Sequence, residues 1–87
     1  SVVNLNRNQL TVLNSNSFER VFSTLTAFYA MNNQINAIDS RILDGVETLN
    51  NLFLLSNVCV SQNFLGVMNN IESVKNSLQN CFNNFDN

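Results

Sequence analysis

Phe64-Leu65-Gly66-Val67-Met68-Asn69-Asn70-Ile71-Glu72-Ser73-Val74-Lys75-Asn76-Ser77-Leu78-Gln79-Asn80-Cys81-Phe82-Asn83-Asn84-Phe85 is the stretch with the most sustained periodicity in the chain. Phe64, Val67, Met68, Ile71, Val74, Leu78, Cys81, Phe82 and Phe85 fall on one face of a helix of about six turns. Asn69, Asn70, Asn76, Asn80, Asn83 and Asn84 all avoid that face. Asparagine is a mediocre helix former, so packing must hold such a helix more than intrinsic propensity does. Ser61 is placed to cap it, after a weak point at Ser56-Asn57-Val58-Cys59-Val60.

Upstream, Asn16 followed by Glu19 has the form of a helix cap with a reciprocal acid, and Phe18, Val21, Phe22, Leu25, Phe28 and Tyr29 follow at helical spacing. That helix should fade in Met31-Asn32-Asn33-Gln34. A second apolar stripe, Ile35, Ile38, Ile42, Val46, Leu49, Leu52 and Phe53, predicts one bent helix or two short ones, with a restart at Asp44-Gly45-Val46-Glu47. Residues 1–15 lack sustained periodicity and read as an arm or a short helix. Alternation never persists, and no Asn-Gly or Asp-Gly hairpin lies between alternating runs, so strands are disfavoured. The expectation is a single all-α domain, a four- or five-helix bundle over residues 16–87 preceded by the arm. Its core or interface draws on Phe18, Val21, Leu25, Phe28, Ile35, Ile38, Ile42, Leu49, Phe53 and the downstream stripe. The phenylalanines recur at core positions and favour a packed interior over an aromatic pocket.

A chain of 87 residues makes one domain with a marginal core, which dimerisation or a disulfide would relieve. It has no His, Trp or Pro and a single Tyr, an inventory that serves enzymes poorly. Four scattered cations at net charge −2 argue against nucleic acid, whose affinity comes from clustered Lys and Arg. The longest aliphatic or aromatic run, Leu52 to Leu55, is far too short to span a bilayer. The chain opens at Ser1 without an initiator Met or an apolar leader, which reads as a processed chain or a piece of a longer one. What remains is a structural or interaction module without cofactor or metal.

Cys59 and Cys81 are the only thiols, and without His or a carboxylate cluster they cannot complete a usual zinc site. They flank the third helix, whose length of ~30 Å forbids a bridge between its ends if it is continuous. Cys81 then reads as a small buried hydrophobe, and Cys59 as the better candidate for an intermolecular disulfide. None of the 19 asparagines has Ser or Thr two positions on, although 13 residues are Ser or Thr. This avoidance of glycosylation acceptors fits secretion. Arg20, Arg41, Glu47 and Glu72 are solvated surface charges by default. In so ion-poor a chain, a partly buried pair of Arg20 or Arg41 with Glu47, Glu72 or Asp44 would also serve as a specificity device and an acid-sensitive tie.

Leu13-Asn14-Ser15-Asn16-Ser17-Phe18-Glu19-Arg20-Val21-Phe22-Ser23-Thr24-Leu25 resembles the first helix of the C-terminal non-repetitive domain of spider silk proteins. Leu55-Ser56-Asn57-Val58-Cys59 is similar to the segment opening that domain's long penultimate helix, at a similar interval from Arg20. Asn stands for the family's usual Ser, Ala and Gly, the Pro before the Cys is missing, and Cys81 lacks a counterpart. The family's acidic partner for the first-helix Arg falls near Asn69, with Glu72 one turn later. The resemblance implies a secreted helical homodimer with an intermolecular disulfide at Cys59. Such a domain keeps silk protein soluble and helps trigger and align fibre assembly, with itself as partner and no small-molecule substrate. The competing readings are a small secreted or viral helical module that binds a protein or an apolar ligand, and a cysteine-dependent redox protein.

Overall fold

The computed structural model describes residues 1–87 and has an α/β architecture, not the expected helical bundle. Three short strands, β1 (Val2–Asn4), β3 (Ala27–Tyr29) and β5 (Asn51–Phe53), lie parallel, and β6 (Asn63–Leu65) closes the sheet antiparallel to β5. A smaller parallel pair, β2 (Val12–Leu13) and β4 (Ala37–Ile38), forms a second layer. The helices are α1 (Ser15–Thr24), α2 (Ile71–Ser77) and α3 (Gln79–Asp86), with 3-10 turns at Ser40–Leu43 and Val67–Asn70.

The parallel strands are successive coils of one repeat. Val2 pairs with Ala27 and Ala27 with Asn51, so the chain returns to the same place after 25 and then 24 residues. Leu25-x-x-Phe28-x-Ala30-x-x-Asn33-x-Ile35 and Leu49-x-x-Leu52-x-Leu54-x-x-Asn57-x-Cys59 share one pattern, and Val3-x-Leu5-x-x-Asn8-x-Leu10 carries its second part. The backbone repeats with it: Arg7, Asn32 and Ser56, the three non-glycine residues with positive φ, stand at the same corner of each coil. The bonds repeat as well. The N–H of Leu5 donates to Tyr29 O (2.6 Å) and that of Ala30 to Phe53 O (2.9 Å), one coil on.

Two asparagines join the coils. The Asn33 side chain, 8% exposed, donates through Nδ2 to Ala30 O (3.1 Å) in its own coil and to Leu5 O (2.9 Å) in the one before. Its Oδ1 accepts from the N–H of Leu10 (3.1 Å). Asn57 repeats this with Leu54 O and Ala30 O (both 2.9 Å) and the N–H of Ile35 (3.1 Å). A primary amide offers donors and an acceptor on one rigid plane, so it satisfies the backbone of two neighbouring coils where the chain turns. The buried polar backbone is thereby paired without regular secondary structure.

Opposite the sheet, coil one carries α1 and coil two only the 3-10 turn. Helix α1 starts one residue after Asn14, whose Oδ1 accepts from the N–H of Ser17 (2.9 Å), so the cap is Asn14 and not Asn16. It ends before Leu25, which is extended, and the expected continuation through Tyr29 is strand β3. The second stripe makes β4, the 3-10 turn and β5 instead of helix. Its residues Ile35, Ile38, Ile42, Leu49 and Leu52 are spaced by three, four and seven, steps that a helix face and an inward-facing coil both produce. Only the last stretch is largely helical, and there it opens with β6 and breaks at Leu78, which lacks regular helical dihedrals. Residues 1–14, expected as an arm or short helix, contribute β1 and β2, and Ser15 opens α1.

Twenty buried residues form one core cluster, including Phe22, Leu25, Phe28, Ile35, Ile38, Ile42, Leu49, Phe64, Val67, Val74, Leu78 and Phe82. Phe18, Val21 and Ile71 pack on it half-buried. Met68, expected inside, is exposed, and Phe53 lies on the other side of the sheet. The downstream end is sealed by α2 and α3. Asn84 Nδ2 donates to Asn36 O (2.8 Å), and a disulfide joins Cys59 to Cys81 across a Cα–Cα distance of 5.2 Å.

Candidate interaction face

Strand alternation sends Val3, Phe28, Leu52 and Phe64 inward as one register row, and the last three are buried. The neighbouring rows point out. One is Val2, Ala27, Asn51 and Leu65; the other is Asn4, Tyr29, Phe53 and Asn63. Continuing the same alternation past the strands adds Asn6, Met31 and Leu55. Val2 is 60%, Leu65 67% and Leu55 44% exposed, and no helix covers this side. Tyr29 and Phe53 sit side by side at its centre, rings edge to face with centroids 4.9 Å apart.

The face is neutral. Not one residue of its outward rows carries a charge at pH 7, whereas the six carboxylates lie at or beyond Glu19 on the helical side of the coils. Exposed Val2, Leu55 and Leu65 around the partly exposed aromatic pair, interspersed with asparagine amides, offer van der Waals contact and hydrogen bonding on one surface. A polar groove of about 380 Å³ opens on the other side, where Asp44, Glu72 and Asp86 surround Lys75 above Phe82. It is ordinary solvated surface: every buried side-chain polar atom of the molecule has a partner.

The residues singled out from sequence are placed differently. Cys59 and Cys81 are bonded to each other, which excludes the intermolecular bridge at Cys59 and the reduced Cys81 in this structure. The intervening segment folds back through β6 and two helices instead of running as one rod, and so brings the two sulfurs together. Arg41 pairs with Asp39 through two contacts of its Nε (3.0 and 3.1 Å) and one of its Nη2 (2.8 Å), not with Glu47, Glu72 or Asp44. Glu72 meets only Lys75 at 3.9 Å on the surface, and Arg20 and Glu47 form no ion pair. Asp39 escaped notice because a carboxylate two residues from its arginine looks like surface charge. In fact it is 3% exposed, caps the 3-10 turn through the N–H of Arg41 (3.0 Å), and its carboxyl is held well below the usual range, chiefly by the Arg41 side-chain hydrogen bonds against the opposing effect of burial.

No group of His, Cys, Asp or Glu is arranged to hold a metal ion, and no helix is long and apolar enough to cross a membrane. The face is discontinuous in sequence: the 24-residue period brings Tyr29 beside Phe53, whereas Val2 joins through a period of 25 and Leu65 only through the antiparallel return of β6. Comparison of the chain with protein-family models, with curated proteins and with solved structures finds no match.

Proposed function

We propose that the chain is a protein-interaction module built on the leucine-rich-repeat plan, taking its partner on the open face of the sheet. The pattern apolar-x-x-apolar-x-apolar-x-x-Asn-x-apolar, with one strand and one helix or 3-10 turn per coil, is the signature of that plan. Repeats of this kind expose a broad surface of parallel strands, which they use for binding. The observation that carries the proposal is the uncharged face on which the partly exposed Tyr29–Phe53 pair is flanked, on the neighbouring row, by the exposed Val2 and Leu65. The silk-domain reading required a helical bundle and an intermolecular Cys59 bridge; the α/β fold and the Cys59–Cys81 bond remove its structural basis. An internal disulfide is compatible with an extracellular location, and secretion belongs to the proposal.

The test uses a displayed peptide library selected on the folded chain. Selected binders should be rich in apolar and aromatic residues and should lose at least about tenfold in affinity to Phe53→Asp and to Leu65→Asp, each a loss of roughly 1.4 kcal/mol. Both variants should keep the circular dichroism spectrum of the parent. Binders indifferent to both substitutions would overturn the assignment of this face.

A further inference from the structure

The two ends of the repeat are finished differently. Downstream, β6 turns antiparallel and the disulfide and α3 seal the last coil. Upstream, coil one is laid out as an interior coil. Asn8 Nδ2 donates to Leu5 O at 2.9 Å within its own coil, as Asn33 does to Ala30 O and Asn57 to Leu54 O. Asn33 and Asn57 also reach back one coil, each donating to a carbonyl there and accepting an N–H at Oδ1. Asn8 makes no such backward hydrogen bond: its Nδ2 donates only to Leu5 O and Asn6 O within coil one, and its Oδ1 accepts none.

The apolar positions show the same incompleteness. Phe28, Ala30 and Ile35 are 0% exposed, whereas their counterparts Val3, Leu5 and Leu10 are only half-buried, packed on the core from one side. The N–H groups of Leu5 and Arg7 and the carbonyl of Ser1 bond towards coil two. Alternation therefore leaves the backbone of Val2 and Asn4 facing the open edge. That edge, Val2-Val3-Asn4, is short but carries no Lys or Pro to block the pairing of a further strand.

We propose that the free edge of β1 is a docking site for one more coil of the same repeat, laid parallel to β1 with its loop stacked on Asn8. The interface between coils one and two supplies the template, and the free edge continues it. A carbonyl equivalent to Leu5 O would receive Asn8 Nδ2, and an N–H equivalent to that of Leu10 would reach Asn8 Oδ1. A second copy of the chain does not fit this chemistry. Its β1 can pair antiparallel, or parallel with its sheet turned over, and neither stacks a loop of the same sense on Asn8. This inference is independent of what binds the outward rows of the sheet.

The experiment fuses a copy of Thr26–Leu49 directly before Ser1, so that the copied Leu49 precedes Ser1 as Leu25 precedes Thr26. The extension should raise Tm by roughly 4 °C or more and slow amide exchange at Val2 and Asn4 by at least about tenfold. Asn8→Ala should then lower Tm of the extended chain by roughly 4 °C or more, yet that of the 87-residue chain by under about 2 °C. An extension that leaves Tm and exchange unchanged, or an Asn8→Ala shift equal in both chains, would overturn the proposal. So would sedimentation showing a dimer of the unextended chain that Val2→Glu dissociates, since a second copy would then hold the edge.

Discussion

Asp39 is the carboxylate that folding has withdrawn from water, and it performs two tasks at once. It caps the 3-10 turn of coil two and holds Arg41, which itself stays mostly exposed. Replacing it with Ala removes a cap and a set of charge-assisted hydrogen bonds, so Asp39→Ala should cost about 1–3 kcal/mol at neutral pH. Its folded pKa lies below the ordinary value of 3.8. The stabilisation is therefore complete above that value and is lost as pH falls through the lower, folded one. Urea titrations of parent and variant should run a constant distance apart from pH 8 to about 5 and converge below about 4. A gap that closes near neutrality would contradict the role assigned to Asp39. The acid-sensitive tie expected between an arginine and Glu47, Glu72 or Asp44 is thus replaced by one between residues two apart in the chain, Asp39 and Arg41, invisible to any argument from helical faces.

At the scale of elements, α1 was legible from Phe18, Val21 and Phe22, and the helical character of Ile71 to Phe85 from its stripe. The strands were not. Each of the main sheet is three residues long and shows one inward position between two outward ones, too little for alternation to register. Asn33 and Asn57 read as weak points between helices, although their separation of 24 matches that of Leu25 from Leu49 and of Phe28 from Leu52. The candidate face was illegible for the same reason, because Tyr29 and Phe53 meet only through the coil period. Helices α2 and α3 are seven and eight residues long, too short to persist alone. The disulfide, with a sequence separation of 22, encloses β6 and α2 and pins α3 at its third residue, worth about 2–4 kcal/mol. The Cys59→Ser/Cys81→Ser double variant should lose about that much stability, with α3 amides exchanging well before those of β5. Equal protection of α3 and β5 in that variant would show that the helices hold without the bond.

Across the whole molecule, one continuous core runs from Leu13 to Phe82 and no domain boundary interrupts it. The oxidised chain should therefore unfold in a single step. Tyr29, the lone tyrosine in a chain without tryptophan, reports on the sheet, whereas the far-ultraviolet circular dichroism is dominated by α1, α2 and α3. The two signals should give superimposable urea transitions. Separate midpoints would mean that the helical end melts apart from the coils.

The amide rungs of Asn33 and Asn57 have a consequence for where such a molecule can work. A side-chain amide neither gains nor loses a proton across any ordinary biological medium, and it attracts no counter-ions. The joints that set the spacing of the coils are thus indifferent to acidity and to brine. A scaffold fastened this way keeps its dimensions in fluids of changing composition, and the asparagine content that made the sequence look unusual is what equips it to do so.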